Sequence, residues 1–255
     1  MPALPVARRQ EPSIPGIKGA MPLRAIGFDI DGTLYSAPSL YLRLMLKGLT
    51  RIRLLAAFNE VRHDLRKLIG SPEYRARGIA GVAAFHRFQA ELTAIKLGAD
   101  PALVHDEIES FFYTESLEPF RTIKPYPGVT RVLEDLRSNG IRLGAFSDFP
   151  CERKLELLGL ADCFDVALTS EETGLVKPDR AGFDLMAKKL GVASEDILYV
   201  GNSERYDVAG ALGAGMRAAL ISRRRFAGSA AEFTFFNFDD LGRYITLHSN
   251  HQGRS

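Results

Sequence analysis

Four short apolar runs, each followed by a stretch with helical spacing, constrain the fold of this 255-residue chain more than any other feature. They cover residues 24–30, 141–147, 164–170 and 196–202. A fifth run at 216–222 and a weaker sixth at 232–236 close the chain. Continuous apolar runs that alternate with helices are typical of parallel strands covered by helices on both faces. The sequence therefore predicts an α/β fold with a doubly wound, Rossmann-like parallel sheet.

The segment from 36 to 124 does not fit this alternation. It is rich in Leu, Ala, Arg and Phe at helical spacing, and turn residues interrupt it at 70–74 and 98–101. We interpret it as a helical insert after the first strand. The predicted α/β core then comprises residues 23–35 and 125–245.

The two ends of the chain and its overall charge give weaker predictions. Residues 1–22 contain five prolines and lack the apolar segment of a signal peptide, so we expect a disordered tail or an extension upstream of a start at Met21. Residues 246–255 are predicted to be a flexible tail. A net charge of +2 indicates no nucleic-acid partner, and no apolar run approaches the ~20 residues of a membrane helix. Cys151 and Cys163 form neither a disulfide framework nor a metal cluster, which favours a cytoplasmic setting.

Polar residues follow each of the first four predicted strands, where parallel α/β sheets bind ligands. They are Asp29, Asp31 and Thr33 after the first strand, Ser147 and Asp148 after the second, Lys177 in the loop after the third, and Asn202, Ser203 and Asp207 after the fourth. Carboxylate and amide oxygens suit Mg²⁺, and a lysine suits phosphate. The set predicts a site for a divalent cation and a phosphate group.

Each element of this set has a simpler interpretation when it is taken alone. Asp29 and Asp31 could form an ordinary turn, but not an EF-hand, since Leu34 and Leu40 stand where that loop needs Gly and Glu. Ser147 could be a helix N-cap, and Lys177 could be solvated. The order of the four elements and their common position at strand ends favour one shared site.

The four segments resemble the four motifs of the haloacid dehalogenase superfamily, in its phosphatase branch. The first motif is similar to DIDGT (29–33), the second to FSD (146–148), the third to Lys177 before a proline, and the fourth to GNSERYDVAGALGAGM (201–216). The similarity extends from about residue 24 to 241. It implies that the insert at 36–124 is a helical cap of the C1 type, placed between the first and second motifs.

The resemblance also implies a mechanism and a role for each residue. Asp29 would attack phosphorus and form an aspartyl-phosphate, and Asp31 would act as general acid and base. One of the two acids is expected to start ionised and the other protonated, a division set by their environments. The implied substrate-binding residues are Thr33, Ser147, Asp148 and Lys177, and the implied Mg²⁺ ligands are the Asp29 carboxylate, the Asp31 main-chain carbonyl, Asn202 and Asp207. The implied partner is a small phosphorylated metabolite.

One departure from the family pattern leaves other functions open. Family members usually have Asp where this chain has Asn202, so the site loses one charge. A phosphomutase would retain the same acids, and a non-catalytic binding protein could have begun to lose them. A haloacid dehalogenase is disfavoured, because that branch lacks the second acid, Asp31.

The start of the insert combines basic and apolar residues. Arg43, Lys47 and Arg51 are spaced four apart on one helix face, and Leu42, Met45, Leu46, Leu49 and Ile52 lie largely on another. Such a helix can be a solvated outer face, a funnel for anions or a membrane-surface element. The solvated face is favoured, membrane contact is least expected, and we hypothesise that part of the charge attracts an anionic substrate.

Overall fold

The computed structural model describes residues 23–69, 71–222 and 228–249, which form a six-stranded parallel sheet with helices on both faces. The strands are β1 (Ala25–Phe28), β2 (Arg142–Ser147), β3 (Val166–Thr169), β4 (Ile197–Gly201), β5 (Arg217–Ile221) and β6 (Phe233–Phe235). Their order is β3-β2-β1-β4-β5-β6, and every neighbouring pair is parallel. The strand order changes direction at β1, so the predicted doubly wound α/β fold is confirmed.

The helices divide into a group that follows β1 and a group that alternates with the later strands. The first group is α1 (Ala37–Lys47), α2 (Ile52–Leu68), α3 (Pro72–Ala76), α4 (Val82–Leu97) and α5 (Pro101–Ile108), with 3₁₀ turns at 48–51 and 115–121 and a π-helical turn at 109–114. The second group is α6 (Val129–Ser138), α7 (Glu152–Leu157), α8 (Arg180–Leu190), α9 (Ala209–Gly213) and α10 (Phe238–Ser249).

The core lies on both faces of β1, whose four residues are completely buried. Ile26 and Phe28 face one layer of apolar side chains, and α8 packs on the other face. A Cβ atom added at Gly27 would lie 2.5 Å from Cε of Met186 in α8 and 2.7 Å from the ring of Tyr199. Glycine at this position therefore allows α8 to approach the centre of the sheet.

The described residues between 36 and 124 contain helices and turns but no strand, in agreement with the predicted helical segment. An isolated antiparallel bridge between Tyr35 and Pro125 brings the two ends of the segment together. At the predicted break at 98–101, Gly98 ends α4 in the left-handed conformation and Asp100 accepts hydrogen bonds from the first turn of α5. At 71–74 the chain instead begins a short helix, because Ser71 caps α3.

The structure bears on the predicted chain ends at one point. Helix α10 continues to Ser249 and so includes the first four positions of the tail predicted from residue 246, whose flexibility stays a prediction. The predicted tail at 1–22 and residues 250–255 lie outside the described residues. Among the helices that the structure describes, none has the length and apolar character required to cross a bilayer.

Candidate active site

Asp29 is the first residue after β1, and its position is fixed by both backbone and side-chain contacts. Its backbone N–H donates to the carbonyl oxygen of Val200 over 2.9 Å, which continues the ladder between β1 and β4. Lys177 Nζ lies 2.8 Å from Oδ1 of Asp29, and the Thr33 hydroxyl donates to Oδ2 over 2.7 Å. The backbone of Asp29 is therefore held by β4, and its carboxylate is held by Thr33 and Lys177, at the carboxyl edge of the sheet.

Lys177 lies between two buried carboxylates. Its Nζ is 2.8 Å from Asp29 Oδ1, 2.9 Å from Asp207 Oδ1 and 2.7 Å from the Tyr199 hydroxyl. Only 3% of the lysine is exposed. Burial alone would lower the pKa of Lys177, but the two carboxylates raise it well above its usual value. Lys177 is therefore the positive charge that compensates both acids.

Asp207 lies in a π-helical turn at 204–208, directly after β4. Its Oδ2 accepts hydrogen bonds from the backbone N–H groups of Asn202 and Ser203 over 3.1 and 3.0 Å. A Cβ atom at Gly201 would lie only 2.3 Å from Cβ of Asp207. The glycine at the strand end therefore allows this carboxylate to reach Lys177.

The pKa of Asp29 reflects this crowding of acids. Burial raises it, the neighbouring Asp207 and Asp31 raise it further, and Lys177 opposes them, with a resulting pKa of about 7. Because the raised value comes mainly from desolvation and like charges, added positive charge near Asp29 would favour its ionised form.

Asp31 has different neighbours. Lys154, in the first turn of α7, places Nζ 3.0 and 2.7 Å from its two carboxylate oxygens. The Ser147 hydroxyl donates to Oδ2 over 3.0 Å, and the buried Tyr35 hydroxyl donates to Oδ1. Burial would raise the pKa of Asp31, but Lys154 and the two hydroxyl donors lower it below its usual value.

These pKa directions set the two acids apart. The roles that the resemblance implies require Asp29 as a carboxylate and Asp31 as a proton donor, whereas the neighbouring groups raise the pKa of Asp29 and lower that of Asp31. The physical reason is the distribution of cations. Lys177 is shared by two acids at Asp29, and Lys154 lies 2.7 Å from Asp31 alone.

Asp148 is engaged with the protein rather than directed at the other acids. Its Oδ1 accepts from the Ser170 hydroxyl over 2.9 Å and from the backbone N–H of Lys177 over 3.0 Å. Its Oδ2 lies 2.8 Å from Nη2 of Arg66 in α2. Asp148 thus positions the loop that contains Lys177, and its part in substrate binding stays a prediction.

The expected metal ligands lie together in the structure. Asn202 Nδ2 donates to the main-chain carbonyl of Asp31 over 3.0 Å. A Cβ atom at Gly32 would lie 2.1 Å from that nitrogen, so glycine at this position leaves room for the Asn202 side chain. No group of three His, Cys, Asp or Glu side chains suited to a metal occurs in the part of the chain that the structure describes. The expected site is not such a group, because two of its four ligands are the main-chain carbonyl of Asp31 and the side-chain amide of Asn202. The donors are all oxygens and carry two carboxylates, so they fit Mg²⁺.

The helical segment contacts the same edge of the sheet through buried polar side chains. Arg62 of α2, 3% exposed, pairs with Glu171 over 2.8 Å and donates to the carbonyl oxygen of Asp148 over 2.7 Å. The Arg66 guanidinium also lies 4.8 Å from the ring centroid of Tyr206. Helix α2 is therefore fixed against the loops that hold Ser147 and Lys177.

Sequence reasoning missed three side chains of the site: Lys154, Tyr35 and Tyr199. Tyr199 had a signal, because a tyrosine inside the otherwise aliphatic strand β4 needs a partner for its hydroxyl. Lys154 and Tyr35 had none, since both meet Asp31 only through the folding of the chain. A cavity of about 450 Å³ opens beside Gly32 and Asn202, but Asp29, Asp31 and Lys177 do not line it.

Comparisons with known proteins agree with this geometry. A family model described as haloacid dehalogenase-like hydrolase matches residues 23–215. A glyceraldehyde 3-phosphate phosphatase of Methanothermobacter thermautotrophicus is 31% identical, over 78% of this chain and 86% of its own length. A phosphoglycolate phosphatase of Rhodospirillum rubrum is 30% identical, over 87% of this chain and 90% of its own.

A solved structure of a 2-haloacid dehalogenase from Pseudomonas syringae pv. Tomato DC3000 is also similar, with a TM-score of 0.61. It is 23% identical, over 88% of this chain and 99% of its own, so the likeness supports the fold alone. The family resemblance that the four motifs indicate is confirmed by the family model and the two phosphatases.

Proposed function

Because this chain belongs to the haloacid dehalogenase-like hydrolase family, we propose that it is a Mg²⁺-dependent phosphatase that hydrolyses a small phosphomonoester through an aspartyl-phosphate. The observation that carries the proposal is the pair of acids after β1. Asp29 is anchored beside Lys177, and Asp31 is anchored beside Ser147 at the neighbouring strand end. A nucleophile and a separate proton donor at one site are what phosphate transfer to an aspartate requires.

The proposed reaction has two steps. The first leaves Asp31 deprotonated, as the second requires, and the second restores both acids. In the first, a carboxylate oxygen of Asp29 attacks phosphorus, the bond to the leaving oxygen breaks, and Asp31 protonates that oxygen. In the second, Asp31 takes a proton from a water molecule that attacks phosphorus, so phosphate leaves and Asp29 is restored. Thr33 and Ser147 would donate to the phosphoryl oxygens, and Lys177 would offset the negative charge.

Mg²⁺ would be held by the Asp29 and Asp207 carboxylates, the Asp31 carbonyl and Asn202. When bound, it would supply positive charge that favours ionised Asp29 and polarises the phosphoryl group. Lys154 affects Asp31 in a different way: a lowered pKa makes the protonated acid a stronger donor but leaves fewer molecules protonated at neutral pH.

We further infer that residues 36–124 act as a cap over this site. The support is that α2 contacts the loops after β2 and β3 through Arg62 and Arg66. A cap of this kind would close over the leaving group, and its side chains would select the substrate. The cytoplasmic setting stays a prediction.

The direct test is hydrolysis of p-nitrophenyl phosphate by the full chain, with Mg²⁺ and with a chelator. Hydrolysis that requires the metal supports the proposal. A panel that includes glyceraldehyde 3-phosphate and phosphoglycolate would then identify the substrate class. Release of halide from a 2-haloacid, isomerisation of a sugar phosphate without phosphate release, or no turnover of any phosphate ester would contradict it.

Replacement of Lys154 by methionine is expected to shift the pH dependence of turnover. Removal of the positive charge beside Asp31 raises the pKa of that acid, so it stays protonated to a higher pH. The basic limb of the kcat/KM profile should therefore move to higher pH. The matched control is Lys154→Arg, which keeps the charge. If the basic limb of the kcat/KM profile stays at the same pH in Lys154→Met, ionisation of Asp31 does not determine that limb.

Replacement of Asn202 by aspartate is expected to strengthen Mg²⁺ binding by about 10–100-fold, because a unit charge at ~4 Å is worth at most ~4 kcal/mol in a wet site. Without metal the change should destabilise the protein, since aspartate cannot donate to the Asp31 carbonyl and adds charge near Asp29. Calorimetric titration with Mg²⁺ and the melting temperature in chelator would measure the two effects.

The control for this change is Asn237→Asp, at a position that lines the same cavity but lies outside the proposed ligand set. It adds the same charge nearby. Equal or weaker Mg²⁺ binding by Asn202→Asp, or the same gain from Asn237→Asp, would contradict the assignment of residue 202 as a ligand.

A further inference from the structure

The face of α1 that points to solvent is apolar. Leu42, Met45 and Leu46 of α1 and Leu49 of the 3₁₀ turn that follows it are 62–65% exposed. At 3.6 residues per turn the three helix positions lie on one side of α1. Ile52, at the start of α2, continues the surface and is 65% exposed. We call these five residues the α1 stripe. A contiguous exposed apolar surface of this kind is typical of an interaction site.

The opposite face of α1 is fixed to the rest of the protein. Leu40 is buried in the main core, and Leu44 packs against it. A Cβ atom at Gly48 would lie 2.4 Å from Cδ1 of Leu55, so this end of the helix is also closely packed. The stripe is therefore held outward by a packed face, and α1 cannot bury it by a simple rotation.

The two described arginines of the predicted basic face lie at the side of this segment and contact residues 115–122. Arg51 pairs with Glu115 over 2.7 Å, and Arg43 donates to the carbonyl oxygen of Pro119 and the hydroxyl of Thr122. The side chain of Lys47 lies outside the described part of the structure. Arg43 is exposed, as expected for a solvated basic face, and the Arg51 side chain keeps 32% of its surface exposed, so both reach solvent beside the apolar residues.

The chain segment that contains the stripe carries charge of one sign. From residue 32 to residue 59 the chain contains four basic residues, Arg43, Lys47, Arg51 and Arg53, and no acid. Glu115 compensates Arg51, and Arg53 is exposed beside Ile52. In a symmetric dimer the stripe would meet its own copy, and the basic residues of this segment would meet each other. An anionic lipid surface complements both the apolar residues and the positive charge.

We propose that the α1 stripe binds the surface of an anionic lipid bilayer. Helix α1 has 11 residues and is too short to span, so it would lie along the headgroup boundary with the stripe inserted. The basic residues at its sides would contact the anionic headgroups. This inference does not depend on the proposed phosphatase reaction.

The test is sedimentation of the full chain with vesicles of phosphatidylcholine alone and of phosphatidylcholine mixed with phosphatidylglycerol. We expect binding to the anionic vesicles and weak binding to the neutral ones. Leu42→Gln combined with Leu46→Gln should weaken binding at least about tenfold. Arg53→Gln should weaken it about fivefold, the value of one basic residue at a lipid surface.

The control is Ile95→Gln combined with Leu103→Gln, at two exposed apolar positions of α4 and α5 that are 75% and 67% exposed. This pair should bind vesicles as the wild type does. Circular dichroism should show that both double variants are folded.

Three results would overturn the proposal: no vesicle binding by the wild type, equal binding to neutral vesicles, or an equal loss in the control pair. Light scattering tests the alternative that the α1 stripe is a dimer interface, because it measures the mass of the protein in solution. A wild-type dimer that becomes a monomer in the Leu42 and Leu46 variant, without vesicle binding, would assign the stripe to a second copy of the chain.

Discussion

Replacement of Asp29 by asparagine is expected to abolish phosphatase turnover, with a loss of at least ~10³-fold, while the protein stays folded. An amide is not a nucleophile toward phosphorus, so the aspartyl-phosphate cannot form. The side chain keeps its shape, and its oxygen can still accept a hydrogen bond from Lys177 or Thr33. Steady-state hydrolysis of p-nitrophenyl phosphate measures the loss, and the melting temperature reports the fold.

The matched control for this prediction is Asp184→Asn, since Asp184 is an exposed acid of α8 that pairs with Arg180. It removes the same charge far from the site and should leave turnover unchanged. Mass spectrometry of the acid-quenched reaction should also find one phosphoryl group on the wild type and none on Asp29→Asn. A residual rate above a few percent, or a phosphorylated Asp29→Asn protein, would refute the covalent mechanism.

The sheet was predictable because its strands are buried on both faces. Each of the six apolar runs contains one observed strand, and the shortest, β6, comes from the weakest run. Two helices also end where a glycine follows them, since Gly191 ends α8 in the left-handed conformation and Gly140, also at positive φ, follows α6. Local sequence determines such features, because a continuous apolar run favours a buried strand and a glycine favours a helix end in any tertiary context.

The orientation of α1 could not be read from its sequence. The helix has two surfaces without charge: Leu40, Leu44 and Gly48 on one side, and the α1 stripe on the other. Periodicity detects both surfaces but does not say which one the core covers. That choice depends on the residues 115–122 that α1 meets, which lie about 70 positions later in the chain.

The contacts that set the two acids apart are also distant in sequence. Lys154 reaches Asp31 across 123 positions, and Lys177 reaches Asp29 across 148. The motif predicted Lys177, because the rule for parallel sheets places its loop at the same edge. No sequence pattern marks Lys154, so the cation beside Asp31 and the lowered pKa of that acid could not be predicted.

Replacement of Lys177 by methionine is expected to destabilise the protein by about 3–5 kcal/mol near neutral pH and to abolish activity. The change leaves the buried carboxylates of Asp29 and Asp207 without their shared cation. The loss should shrink as the pH falls. Without Lys177 two buried carboxylates repel each other with no cation between them, so the folded variant binds protons more readily than the unfolded chain, and acid favours the folded state. The pKa of Lys177 itself is raised, so its own stabilising contribution is present throughout this range.

Urea unfolding in chelator at about pH 5 and about pH 8 measures this difference against the wild type. The control is Lys189→Met, which breaks a partly exposed pair with Glu172 and should cost about 1 kcal/mol or less. Combining Lys177→Met with Asp207→Asn should recover part of the stability, because only one buried carboxylate, Asp29, then remains without a cation. A loss for Lys177→Met that equals the control, or that grows as the pH falls, would show that the lysine does not compensate the two acids.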